Sequence, residues 1–306
     1  MTTAAPLTTT PLSKTEGKKL SAAAMAKKKL TSPWASLAAV IIAVVWTIPT
    51  VGLLISSFRP QDDIRRTGWW TFFTDPLVTF ENYRTVLDPE KAGTNLPDSF
   101  LNSLVMTIPS VIIPLCLASL AAYAFAWMNF PGKNFLFIAI FALQIVPLQV
   151  TLLPLLQLFV AWDIDGTFWT VWLSHSTFAL PLAIYLLHNF IKEVPSSLIE
   201  AARIDGAGHV SIFFRVLLPL LTPALAAFGI FQFLWVWNDL LVSLTFAGSP
   251  TISPLTVQLS NLTGTRGTAW YLLSAGAFVS IIVPVTVFLL LQRYFVRGLL
   301  AGSVKG

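Results

Sequence analysis

"EAARIDGAGHVSIFFRVLLPL", Glu200 to Leu220, is the stretch on which the reading of this chain turns. Glu200, Arg203, Asp205, His209 and Arg215 crowd into it, whereas the chain of 306 residues is 55% hydrophobic and only 11% charged. Soluble domains carry roughly 25% charged residues. A mean hydropathy of +0.74, with the apolar residues gathered in long blocks, is the composition of a membrane protein. A charged stretch in such a chain belongs at one bilayer surface, and its side follows from the spans around it.

Six apolar segments stand out, at residues 34–57, 100–127, 134–160, 167–190, 220–246 and 270–295. Each can cross a hydrocarbon core of about 30 Å at about 1.5 Å per residue, so the expected fold is an all-α membrane protein with six transmembrane helices. Several contain proline, which membrane helices tolerate when neighbours satisfy the freed carbonyls. The first is too long and too far from the start for a signal peptide. Residues 1–33 before it are low in complexity and basic, a disordered tail by composition. Lys27, Lys28 and Lys29 border the first span and hold the tail in the cytoplasm under the positive-inside rule. Six crossings return the C-terminus to that side, with thirteen Lys and Arg residues inside and six outside. Residues 191–219 are thereby cytoplasmic, between spans four and five. The net charge of +5 follows topology and points to no nucleic-acid partner. Cys116 is the single cysteine and has no partner for a disulfide or metal site.

The cytoplasmic stretch reads as a short helix, a break and a second helix. Pro195 suits a first turn, and Ser197 with Glu200 suits a capping box, which would start the helix slightly differently. Leu198, Ile199, Ala202 and Ile204 give an apolar stripe. Asp205-Gly206 breaks the helix, with Gly206 free to turn left-handed, and a second helix from His209 or Ser211 runs into Pro219. Small residues here permit close approach by another protein. On physical grounds alone, a docking knob and an amphipathic loop on the bilayer surface are equally served.

The spacing Glu200-Ala201-Ala202, Gly206, then Val216-Leu217-Leu218-Pro219 resembles the "EAA" signature of ABC-importer membrane permeases, with Val216 where the family has isoleucine. "ISSFRPQDDI", "FENYRTVL", "QIVPLQVTLLPLLQLF", "WVWNDLLVSLTF" and the closing "QRYFVRGLLAGSVKG" resemble the carbohydrate-uptake branch, in particular the shorter permease of maltose-type pairs. The resemblance implies the type I importer permease fold in a bacterial plasma membrane. It implies that Glu200, Ala201, Ala202, Arg203, Asp205 and Gly206 form a coupling helix docked on an ATPase subunit, with Gly302 and Lys305 in a tail that also contacts it. The implied partners are a homologous second permease, two ATPase subunits that hold ATP and Mg, an extracytoplasmic sugar-binding protein, and a sugar, with a glucoside favoured. This chain itself would bind no cofactor and catalyse nothing. It has no Gly-x4-Gly-Lys-Ser/Thr loop, and Gly132-Lys133 lacks the rest of that motif.

Asp239 is the one acid within an expected span, a functional candidate by default. With Trp235, Trp237 and Asn238 it could face sugar hydroxyls and rings; an interfacial acid among belt tryptophans, or a structural bond, reads the same residues. Gln144 is a further candidate for the path or for holding helices together. Asp62, Glu81 and Arg266 lie in outer loops where a binding protein would sit, or on an ordinary solvated face. His175, His188 and His209 show no metal spacing. Two rival classes remain: an ion-coupled secondary transporter, and a membrane glycosyltransferase using Asp163 and Asp165, a pair equally suited to a turn.

Overall fold

The structure, a computed structural model, describes residues 33–262 and 270–303, with side chains as far as 292. The basic tail, Arg266 and Lys305 lie outside the described residues. The chain divides into two compact units, Met1–Ile55 and Ser56–Gly306. Described in the first is helix α1, Pro33–Ser57, whose last two residues belong to the second unit. It is apolar all round, as a helix in lipid should be, and its Thr47 hydroxyl bonds the Ala43 carbonyl at 2.7 Å near Pro49.

The second unit opens with short helices α2 (Gln61–Arg66), α3 (Glu81–Leu87) and α4 (Pro89–Ala92). Then come α5 (Leu96–Trp127), α6 (Lys133–Ala142), α7 (Leu148–Ala161) and α8 (Phe168–Lys192). The chain continues through α9 (Ser196–Ile204), α10 (His209–Trp237), α11 (Leu241–Phe246), α12 (Leu255–Leu262) and α13 (Trp270–Ser303). Among the described residues α1, α5, α8, α10 and α13 are each long and apolar enough to cross a bilayer.

The expected span 134–160 is not one rod. Its halves, Lys133–Ile145 and Leu148–Ala161, meet at 103°, so there are five spans, or six if the bent pair forms one. The cause is local. A residue before proline is driven out of the helical region, and Val146 (ψ 121°) and Pro147 (ψ 129°) are both extended.

The span expected at 220–246 also differs. Its helix begins at His209, so the second short helix expected in the 191–219 stretch is the first part of the span itself. Residues Ile212–Leu217 widen into a π-helix just ahead of Pro219. Proline has no N–H for the Arg215 carbonyl and its ring would collide with it; the wider turn accommodates both defects. At its other end the span stops at Trp237.

The main core joins α5, α8, α9 and α10. Ala118, Ala122 and Ala183 are fully buried there, small residues that let helix backbones approach without a hydrophobic drive from water. Ile199 of α9 and Ile212, Phe213 and Leu217 of α10 complete it. The stretch from Ser196 to Leu217 is thus seated on the bundle, not strung between helices.

Candidate functional site

Helix α9 is built for one face in and one face out. Pro195 is its N-cap and no side chain caps it, so neither Pro195 in the first turn nor the Ser197–Glu200 box forms. Ile199 is buried and Ala202 packs beside it in the core. At about 100° per residue, Ile204 falls some 140° from Ile199, so the expected stripe is cut short and Ile204 points outward, 86% exposed. Glu200, Ala201, Arg203, Asp205 and Gly206 share the exposed side, along with Val210, 73% exposed.

The break after α9 is a Schellman motif. Ala207 N–H donates to the Ala202 carbonyl at 2.9 Å and Gly206 N–H to Arg203 at 2.9 Å, satisfying two terminal carbonyls. Gly206 has φ +81°, and a β-carbon there would meet nothing within 4 Å; glycine is required by the backbone angle, not by space. Immediately beyond, His209 Nδ1 and the Tyr123 hydroxyl of α5 are hydrogen-bonded at 2.7 Å. The Tyr123 ring also packs edge-on against Phe213 of α10, 5.6 Å between centroids. The exposed loop is thereby fastened to two spans. Tyr123 was not singled out from the sequence, since nothing local marks a tyrosine that meets a histidine 86 positions away.

A second feature lies at the α6–α7 break. A cavity of about 490 Å³ opens there, lined by Gln144, Val146, Pro147, Thr151, Thr177 and Trp235, among others. Gln144 and Trp235 therefore share one hollow whose lining is mainly apolar, with Leu143, Ile145, Leu148, Leu155 and Phe178 also lining it. Trp237, Asn238 and Asp239 do not line it. Trp237 is buried, stacked on Phe233 and edge-on to Phe100, its indole N–H donating to the Ser280 carbonyl at 3.3 Å. Asn238 donates back to the Leu234 carbonyl at 2.7 Å. Asp239 restarts the chain as α11: its carboxylate accepts from Val242 N–H at 3.3 Å and Ser243 N–H at 2.9 Å. The Asp239 carbonyl accepts from the Thr256 hydroxyl at 2.7 Å. The one acid of the expected spans thus holds free amides of the first turn of α11, from the position before its N-cap Leu240. Its neighbour is His175, fully buried, with Nε2 3.7 Å from the carboxylate and its ring edge-on to Trp235 at 5.5 Å. Histidine spacing alone could not reveal this pairing between α8 and the end of α10.

The motifs after the first span build a clasp. Arg59, 2% exposed, donates through Nη1 to the Gly68 carbonyl and the Thr71 hydroxyl, each at 2.8 Å. Asn82 donates to the carbonyls of Ser57 and Arg59 at 3.0 and 2.8 Å. Asp62 and Glu81 are exposed. Asp163 and Asp165, also exposed, close the α7–α8 turn, where Asp163 adopts φ 57° and Ile164 N–H reaches the Phe159 carbonyl at 3.1 Å. They form a second Schellman turn, with an aspartate in glycine's place.

Residues 114–300 match the family model described as binding-protein-dependent transport system inner membrane component. The chain is 52% identical over 270 residues to the osmoprotective compounds uptake permease protein GgtD of Synechocystis sp., covering 88% of this chain and 91% of that one. It is 38% identical to the alpha-glucoside transport system permease protein AglG of Rhizobium meliloti, covering 89% and 97%. A crystal structure of a bacterial ABC transporter involved in the import of alginate contains a chain of the same fold, TM-score 0.69 at 20% identity, covering 88% of this chain and 98% of that one.

Proposed function

Because the chain belongs to the family of binding-protein-dependent transport inner membrane components, we propose that it is one of two homologous permeases in an ATP-driven sugar importer. Membership in a multi-pass permease family displaces the secondary-transporter and glycosyltransferase readings. Two ATPase subunits, which bind ATP and Mg, and an extracytoplasmic sugar-binding protein complete the assembly. The substrate is a neutral glucoside or small oligosaccharide, a class supported by relatives named for alpha-glucosides and arabinooligosaccharides.

The observation that carries this reading is helix α9, with Glu200, Ala201, Arg203, Asp205 and Gly206 exposed while Ile199 and Ala202 anchor it in the bundle core. Ile204 at its end and Val210 at the start of α10 add exposed apolar contacts beside its charges, the mixture a protein cleft takes up. Closure of the ATPases on ATP pushes this helix, and the Tyr123–His209 bond and the Phe213 contact pass the displacement to α5 and α10. The bundle then switches between inward- and outward-facing arrangements, a rigid-body change biased by nucleotide and binding protein. Both termini are cytoplasmic by the charge bias of the loops; residues 1–33 form a separate tail and 34–306 the permease domain. Gly302, in the last turn of α13, and Lys305 lie on the ATPase side. Gln144 and Trp235 line the part of the sugar path this chain supplies.

The test uses the purified complex in lipid with its sugar-loaded binding protein, before and after Glu200→Ala plus Gly206→Pro. Stimulated ATP hydrolysis and uptake should collapse while insertion and assembly persist. Survival of both activities would remove the docking assignment.

A further inference from the structure

Between α1 and α3 the chain displays large apolar rings. Trp70 is 63% and Phe73 73% exposed, with Leu77, Val78 and Phe80 exposed beside them. Residues Trp69–Phe73 form a 3-10 helix without a buried residue, its rings in edge-on contact from Trp69 to Trp70 and Phe73. The display is rigidly made. A β-carbon at Gly68 would lie 2.3 Å from the Trp70 indole, so glycine lets that ring fold against the backbone and leave one face open. Arg59 grips both ends of the turn through Gly68 and Thr71. The return of the segment is fixed as well, with Thr79 N–H donating to the Phe58 carbonyl at 2.6 Å.

Depth follows from these bonds. Ser57, where α1 ends, bonds the Tyr83 hydroxyl at 2.8 Å, and Val86 of α3 is fully buried against Leu272 and Ala275, in the first turns of α13. The ring-bearing segment therefore hangs beside the first turns of α13, at the end of an apolar span. Arg65 and Arg66, both exposed, immediately precede it.

We propose that residues 65–80 form an interfacial shelf, with Trp70, Phe73 and Phe80 lying in the headgroup–acyl boundary and Arg65 and Arg66 among the lipid phosphates. The occupant of this apolar face is the phospholipid leaflet, because the segment is tied beside the first turns of α13, an apolar span, and because Trp, Phe and Arg are the residues that settle there. Asp62, Asp75 and Glu81 flank the arginines, so the segment is not a basic patch. Attachment rests on ring burial and is insensitive to salt.

The assembled importer in lipid nanodiscs, carrying Cys116→Ser and a nitroxide at Phe73→Cys, tests this by spin-label accessibility. The same label at Glu90→Cys, on exposed α4, is the reference. At position 73 collisions with lipid-soluble oxygen should exceed those with an aqueous nickel chelate several-fold, reversing the order at 90, and 0.5 M salt, which shortens the Debye length to about 4 Å, should change nothing. Trp70→Cys repeats the measurement if position 73 does not assemble. Equal access to the chelate at 73 and 90 overturns the proposal. So does protection from both probes, which would place a protein over the shelf: a neighbouring subunit if it occurs in the importer alone, the binding protein if it appears only on adding that protein with sugar.

Discussion

Tyr123→Phe isolates one bond in the proposed transmission path. The substitution keeps the ring and its contacts with His209 and Phe213, 5.9 and 5.6 Å between centroids, and removes only the 2.7 Å hydrogen bond to His209 Nδ1. Net, such a bond contributes about 0.5–1.5 kcal/mol, towards the low end when the freed partner can reach water. His209 is exposed, so ~1 kcal/mol is the reasonable figure, roughly fivefold in an equilibrium constant. If the bond stiffens the joint between the docking helix and α5, the ratio of binding-protein-stimulated to basal ATP hydrolysis should fall by about two- to fivefold, with assembly unchanged. ATP consumed per sugar imported should rise. His209→Ala should have the same effect, and the double variant should be no worse than either single one, because both remove one bond. Additive effects, or a wild-type stimulation ratio in both single variants, would refute the transmission argument and leave the contact as local packing.

Gly206→Ala forces a β-carbon into φ +81° at about 1 kcal/mol; hydrogen exchange at the Ala207 amide should quicken roughly fivefold, and unchanged exchange would mean the turn has another support. Asp239→Ala should cost about 1 kcal/mol of stability through the lost bonds to the α11 amides while the uptake KM stays as it was; a large rise in KM would make the acid a sugar ligand after all. Trp235→Ala should raise the uptake KM several-fold without loss of basal ATPase activity, whereas Trp237→Phe should leave KM unaltered, so equal responses would argue against the cavity as the path.

The spans were legible because lipid imposes a simple demand, long apolar runs with every backbone group paired. Helix α9 was legible because its charges, small residues and Gly206 stand together in sequence. Position within a span was not. The expected spans hold eight prolines, and all but Pro147 sit inside intact helices. The residue itself is the same in each case; whether a kink or a break results depends on what neighbouring helices offer the freed carbonyls, which a linear sequence does not record. The continuity of α10 with its span was hidden for a related reason. His209 and Arg215 interrupt the apolar pattern, yet the helix runs on through them, because buried Ile212, Phe213 and Leu217 hold that turn to the bundle. Asp239 shows the converse: a lone intramembrane acid reads as chemistry until Val242 and Ser243 supply its backbone donors.

The 103° corner between the halves of the third apolar segment has a consequence for the life of the chain before it finds its partners. A helix that stops inside an apolar segment leaves its last carbonyls and the next helix's first amides short of helical partners; here Val146 N–H reaches the Leu143 carbonyl and Val150 N–H the Pro147 carbonyl, and lipid offers the others nothing. A newly inserted copy is therefore an incomplete object, with a polar wound that only water in a sealed hollow or an adjoining subunit can close. Such a chain is expected to be short-lived when made alone and durable when made together with its companions, so that stoichiometry is enforced by degradation of the unmatched copy.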